Sequence, residues 1–155
     1  MNSRIRRGLA VVSAVVALAA GGVLGVAGPA SAAPATCNLH GYWWSSKWNK
    51  DLSVPVYRNS SGVWVRGCQL RQGDGPTPAG TGSAIWGLQQ ALNMCYGEKL
   101  TQDRDFGALT KAALIRAQRR EGISADGIYG PQTADHLAFP VLSGDFVTTP
   151  CRSFY

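Results

Sequence analysis

Hydrophobic and polar positions follow three regimes along the chain. Leu9–Val26 is an apolar run interrupted only by Ser13 and glycines, with Arg4, Arg6 and Arg7 before it. Pro29 and the small residues Ala30-Ser31-Ala32 follow it. A basic start, an apolar stretch and a small-residue cleavage site form a secretory signal pattern, so residues 1–32 are expected to be removed on export. The competing reading, an uncleaved anchor, is weakened by Gly21, Gly22 and Gly25 in a run barely long enough to span a bilayer. From residue 33 to 71 the pattern turns to short β-type runs. Val54-Pro55-Val56-Tyr57 and Val63-Trp64-Val65 flank Asn59-Ser60-Ser61-Gly62, which predicts a hairpin. Pro55 is expected at a sheet edge, because it cannot donate a ladder hydrogen bond. Residues 72–82, QGDGPTPAGTG, read as a linker.

From Ser83 the period becomes helical. Ile85, Leu88, Leu92 and Cys95 share one face, with Ser83 placed to cap the start and Gly97 to end the helix. A second helix is predicted from about Gly107 to Arg120, its inner face carrying Leu109, Ala113, Leu114 and Ala117. Gly122 and Ile123 are placed to close it in a Schellman cap. A short third helix should start at Pro131, carry Ala134, Leu137 and Ala138, and stop before Pro140. The tail 141–155 reads as irregular.

The helical part contains a repeat. Asp103, Phe106, Gly107 and Thr110 match Asp126, Tyr129, Gly130 and Thr133, each pair 23 positions apart. Each copy supplies a carboxylate that can accept turn N–H groups, an aromatic ring, a flexible glycine and a threonine in the first helical turn. Two well-made helix starts would explain the Asp and Gly positions as readily as ligand contact would.

Residues 83–139 resemble the peptidoglycan-binding domain of type 1, in a cysteine-containing version from secreted bacterial proteins. The resemblance lies in Ile85-Trp86-Gly87-Leu88-Gln89-Gln90-Ala91-Leu92-Asn93, in Asp105-Phe106-Gly107-Ala108-Leu109-Thr110 and in Ala117-Gln118-Arg119. It is completed by Asp126-Gly127-Ile128-Tyr129-Gly130-Pro131-Gln132-Thr133. Two departures stand out: Arg104 and Ala117 occupy positions where the family usually has glycine and phenylalanine. The resemblance implies a mainly α protein, a three-helix bundle that holds cell wall without cutting it, here with a small disulfide-linked hairpin segment in front. It implies a ligand groove near the paired loops, with Asp103, Phe106, Gly107, Thr110, Asp126, Gly127, Tyr129, Gly130 and Thr133 as candidate contacts. Tyr129 leads them, since a tyrosine ring can lie on a sugar and use its hydroxyl as well. Phe106 reads as core. The expected division is 1–32 signal, 33–71 aromatic segment, 72–82 linker, 83–140 binding domain and 141–155 tail.

Composition sharpens this in two ways. The formal charge of +6 includes three arginines of the signal, so the exported 123 residues carry only +3. Together with the lack of a recognised motif, that argues against nucleic acid as partner. All four cysteines, Cys37, Cys68, Cys95 and Cys151, remain, and an even count in a small exported chain predicts two disulfides, with three connectivities open. No C-x-x-C spacing supports a metal, and no cofactor is expected.

Tyr42, Trp43, Trp44 and Trp48, with Lys47 and Lys50, form either a glycan-stacking face or a small aromatic core; exposure of two or more rings decides for the face. Lys111, Arg116, Arg119 and Arg120 make the second helix basic, which suits either solvent or anionic wall polymers. His40 and His136 read as surface or packed residues. No H-E-x-x-H, G-x-S-x-G or Cys-His arrangement is present, and Glu98 and Glu121 are the sole glutamates. The expectation is a secreted, non-catalytic peptidoglycan-binding protein, located outside the cell or on its wall. The alternatives are a small wall hydrolase, using the helical domain for targeting and the N-terminal segment for chemistry, or its targeting subunit, and an exported inhibitor that binds a protein. Glu98 is the one glutamate placed to serve a hydrolase, though it reads first as a structural or surface residue.

Overall fold

The computed structural model describes residues 32–76 and 81–155, and the expected signal lies outside the described residues apart from Ala32. In chain order the elements are β1 (Leu39–Ser45), β2 (Lys50–Arg58), β3 (Trp64–Val65), α1 (Thr81–Tyr96), α2 (Ala108–Arg120), α3 (Pro131–His136), β4 (Phe139–Ser143) and β5 (Phe146–Arg152). The expected mainly α bundle is corrected. The fold is mixed α/β, with three helices and a five-stranded antiparallel sheet in the order β1-β2-β4-β5, β3 pairing with the far end of β2.

The sheet arises from segments whose strand character the sequence hides. β1 reads LHGYWWS, where aromatic rings on both faces blur the alternation of inward and outward positions. The tail expected to be irregular is a hairpin: Phe139–Ser143 and Phe146–Arg152 pair around Gly144, which has φ +61°. Pro140 and Pro150 mask it in the sequence, since proline argues against a strand.

Pro55 shows how proline is accommodated. It lies in β2, which is flanked on both sides, and not at an edge. The Val56 carbonyl accepts from the Asn38 N–H, so the polar groups of Val56 face β1 and those of Pro55 face away. On that side β2 meets β4 at Leu52 and β3 at Tyr57 and Arg58, and Pro55 falls between the two pairings.

One core joins the sheet to the helices. Leu52, Val54 and Val56 of β2 pack with Ala84, Ile85, Leu88, Ala91 and Leu92 of α1, Ala113, Leu114 and Ala117 of α2, and Phe106, Tyr129 and Phe139. Leu109, expected on the inner face of α2, is 78% exposed; Thr110 and Gln118 are buried there instead. The C-terminal ends of α1 and α2 follow the sequence, but α1 starts at Thr81, so Ser83 lies inside it and not at its cap, and α3 stops at His136, leaving Leu137 and Ala138 outside. Gly97 and Gly122 have φ of +73° and +70°. After α2 the Ile123 N–H bonds to the Gln118 carbonyl and the Gly122 N–H to that of Arg119, the paired bonds of a Schellman cap.

Two disulfides, Cys37–Cys68 and Cys95–Cys151, complete the frame. They close separations of 31 and 56 residues, and by loop-closure entropy each stabilises by about 4 kcal/mol. The first staples the β1–β3 segment on itself, and the second ties β5 to the end of α1.

α1 approaches β1 closely because Gly87 has no side chain. A Cβ there would stand 2.5 Å from His40 Cδ2 and 3.1 Å from Cγ. His40 occupies the space, its Nε2 2.5 Å from Ser53 Oγ and its backbone N–H donating to Ser83 Oγ at 3.2 Å. Burial lowers the pKa of the imidazole. Gly87→Ala should therefore destabilise the protein by about 1–2 kcal/mol despite the better helix propensity of alanine, read as a lower urea midpoint.

Candidate functional site

Each of the two repeated loops is built around a buried glutamine. Gln89 of α1 is 1% exposed, and its Nε2 donates to Asp103 Oδ1 (2.7 Å), the Asp105 carbonyl (3.1 Å) and Thr110 Oγ1 (3.2 Å). Its Oε1 accepts from the Arg104 N–H (3.1 Å). Gln118 of α2 repeats the arrangement one loop later. Its Nε2 donates to Asp126 Oδ1 (3.0 Å), the Ile128 carbonyl (3.0 Å) and Thr133 Oγ1 (3.1 Å), and its Oε1 accepts from the Gly127 N–H (2.9 Å). Thr110 and Thr133 complete each set by donating to the same carbonyls. Asp103 and Asp126 also accept from the N–H two residues on, at 3.0 and 2.9 Å.

Every polar atom of each amide is thus partnered, which is the condition for burying it at low cost. Each helix grips the loop that starts the next one. The Gln89 hydrogen bond, seconded by the Asp105 N–H, holds the Asp103 carboxyl below its usual pKa.

The segment before the helices pins both loops. Leu70 exchanges backbone hydrogen bonds with Tyr129 at 2.8 and 2.9 Å. Gly73 donates to the Phe106 carbonyl (3.1 Å), and the Phe106 N–H donates to the Asp74 carbonyl (2.9 Å). The equivalent aromatics of the two repeats are therefore both paired to residues 70–74.

These contacts place the nine predicted ligand residues. Phe106 and Tyr129 are fully buried. The Tyr129 ring packs edge-on against Phe139, with centroids 6.4 Å apart, and its hydroxyl has no protein partner. With no exposed face, Tyr129 cannot stack on a sugar in this conformation; it is a core residue. Thr110 and Thr133 are buried in the glutamine clamps, and Gly107 and Gly130 cap the N-termini of α2 and α3. Asp103 and Asp126 are exposed, with one oxygen committed inward. Among the described residues, the loops border two hollows. One of about 240 Å³ lies beside Asp103, Asp105 and Leu109, and one of about 320 Å³ beside Arg71, Lys111, Asp126 and Ile128.

Arg104, where glycine was expected, has φ +67°, and its counterpart Gly127 has φ +72°. A Cβ on Gly127 would lie 2.7 Å from Lys111 Cγ. Gly127→Ala should cost about 1–2 kcal/mol, whereas Arg104→Gly should range from neutral to about 1 kcal/mol stabilising. Chemical denaturation of the two variants checks the asymmetry.

A larger hollow of about 560 Å³ lies on the edge strand β1, lined by His40, Gly41, Tyr42, Trp43, Trp44 and Trp64. Trp44, Tyr42 and Trp64 are 54%, 49% and 43% exposed, so the exposed-face reading of the aromatic cluster is the one the structure favours. Trp43 is half-buried against the core. Trp64 covers Gly41, where a Cβ would come within 3.0 Å of Cζ3, and the Arg58 guanidinium stands 5.2 Å from the Trp64 ring centre. His40 links this face to α1 through an edge-on contact with Trp86, centroids 5.3 Å apart.

A family described as "Putative peptidoglycan binding domain" matches residues 81–137. That segment is a peptidoglycan-binding domain of this family. It holds all three helices, both glutamine clamps and both repeats. A similar solved structure is that of a peptidoglycan-binding protein from Clostridioides difficile in complex with glutamine hydroxamate. It is 26% identical, with a TM-score of 0.41, and the match covers 56% of this chain and 58% of that one. No curated protein matches the chain.

Both glutamates are held by neighbours. Arg116 Nε and Nη2 clasp Glu98 at 2.8 and 2.5 Å, and Glu121 accepts from the Tyr96 hydroxyl at 2.8 Å. The Arg116 hydrogen bonds keep the Glu98 carboxyl below the usual range. A depressed folded-state pKa gives stability that is present above the unfolded value of about 4.3 and lost as pH falls through the folded pKa. The melting temperature should therefore fall below about pH 4, and less steeply in Glu98→Gln.

Proposed function

We propose that the protein binds peptidoglycan without cleaving it, outside the cytoplasm, and that glycan lies on the aromatic hollow of β1 beside the helical domain. The observation that carries the binding surface is that hollow: Tyr42, Trp44 and Trp64 expose rings around about 560 Å³, next to a domain of a peptidoglycan-binding family. Exposed aromatic rings with polar tips suit the apolar faces and hydroxyls of sugars. The two disulfides support an oxidising, extracytoplasmic setting, and among the described residues no helix is long and apolar enough to cross a membrane.

A non-catalytic role is supported by the state of the carboxylates. A glycosidase acid must be protonated near neutral pH, and Glu98, clasped by Arg116, is biased the opposite way. Asp103 and Asp126 are committed to the clamps.

Incubation with insoluble peptidoglycan tests both halves of the proposal. The protein should sediment with the wall and release no soluble fragments. Trp44→Ala and Trp64→Ala should each weaken sedimentation by about tenfold, the worth of one lost aromatic contact, with unchanged far-UV spectra. Failure to sediment would overturn the reading. Fragment release that is lost in Glu98→Gln would replace it with a hydrolase.

A further inference from the structure

A separate cavity of about 310 Å³ lies where the start of β2 meets the β4–β5 hairpin, and its chemistry differs from that of the aromatic hollow. Lys50 and Arg152 bring two positive charges to its wall, Ser143, Thr148 and Thr149 bring hydroxyls, and no carboxylate lines it. The salt bridges among the described residues are Arg66–Asp135 and Arg116–Glu98, so neither cavity cation is neutralised by an ion pair. The polar lining consists of cations and hydroxyls, a set that matches an oxyanion.

Arg152 is held in place before any ligand arrives. Its guanidinium carbon stands 4.8 Å from the centre of the Trp48 ring, and its Nη1 donates to the Cys151 carbonyl at 3.1 Å. Trp48 is itself fixed by Nε1 donating to the Ser153 carbonyl at 2.7 Å. Cys151, the preceding residue, is bonded to Cys95 at the end of α1, which anchors the hairpin to the peptidoglycan-binding domain. A guanidinium spends less conformational entropy on a ligand when it is already positioned, and its remaining N–H groups can meet both oxygens of a carboxylate. Val141 and Pro150 give the cavity an apolar side for a carbon skeleton.

We propose that this cavity is a second binding site, for an oxyanion carried on a small polar body, with a carboxylate-bearing sugar as the best chemical fit. Lys50 and Arg152 hold the charge, and the Ser143 and Thr149 hydroxyls orient the group, that of Thr148 donating to the Val141 carbonyl at 3.4 Å. The site does not depend on the aromatic hollow or on recognition of intact wall, so it is tested with soluble probes.

Titration of the isotope-labelled protein, followed by amide and indole NMR signals, decides it. The probes are N-acetylmuramic acid, N-acetylglucosamine and inorganic phosphate at matched pH and ionic strength. N-acetylmuramic acid should give saturable shifts at Thr148, Thr149 and the Trp48 indole, and N-acetylglucosamine none. Lys50→Gln, an exposed change whose fold is checked by thermal melting, should weaken binding about tenfold, and Arg152→Lys should weaken it while keeping the charge. Saturable shifts with phosphate alone would support the oxyanion site and assign it to a phosphoryl group. Equal shifts with the neutral sugar, unchanged affinity in Lys50→Gln, or no saturable shift with any probe would overturn it. Wall sedimentation that persists when these shifts are absent would reject this cavity and leave the peptidoglycan reading standing.

Discussion

Two primary amides, buried in the helical half, organise everything around them. Gln89 and Gln118 each place an NH₂ group against a carboxylate, a carbonyl and a threonine, and a carbonyl against one backbone N–H. An unpartnered buried amide would cost about 1–3 kcal/mol, so the clamp is all or nothing. Because it is complete, the loops it grips have one geometry, and the helices they introduce have fixed starting directions. The Asp and Thr of each repeat act through this geometry.

The sheet depends on the same loops. Residues 70–74 reach both repeats through backbone hydrogen bonds, and Cys68 just before them is bonded to Cys37 at the entrance to β1. At the other end, Tyr96 donates to Glu121 and accepts from the Ala138 N–H at 2.7 Å, joining α1, the end of α2 and the approach to β4. Cys151 ties β5 to Cys95 of α1. The strands thus belong to the same core as the helices, with Leu52, Val54 and Val56 packed on α1. Two surfaces result, one aromatic on the edge strand and one cationic at the hairpin, each held rigidly against the peptidoglycan-binding domain. Rigid presentation favours binding because little side-chain freedom remains to be lost.

The helices were legible from sequence because their signals are local. Apolar spacing, Pro131 at the first position of α3 and the glycines at 97 and 122 act within one or two turns of the backbone. Of the sheet only the β2–β3 hairpin was legible. β1 and β5 each pair with the strand next to them in sequence, but their aromatic and proline content obscures the strand pattern, and the joining of β2 to β4 at Leu52 and Val141 brings together segments far apart in the chain. The candidate site was half legible. The 23-residue repeat identified the loops, yet its aromatics and threonines turn inward, and the glutamines that explain them stood in view only as part of the family pattern. Their signal was a polar residue on an apolar helix face, next to Leu88 and Ala117.

The sequence by itself determined the three helices, the glycine ends of the first two, the Pro131 start of the third, the repeated loops, the hairpin of β2 and β3 and the membership of residues 81–137 in a peptidoglycan-binding family. Each of these rests on short-range geometry or on a recurring motif. Only the tertiary structure decided which cysteines pair, that the tail is a hairpin, and which aromatic rings face water. Tyr129 and Trp44 make the difference plain. Both could stack on a sugar by chemistry alone, but the pairing of Leu70 with Tyr129 draws that ring into the core, while the position of β1 at the sheet edge leaves Trp44 exposed. Burial is set by what packs against a residue, and for Tyr129 that is a chain segment far away in sequence, while β1 at the edge has a neighbouring strand on one side alone.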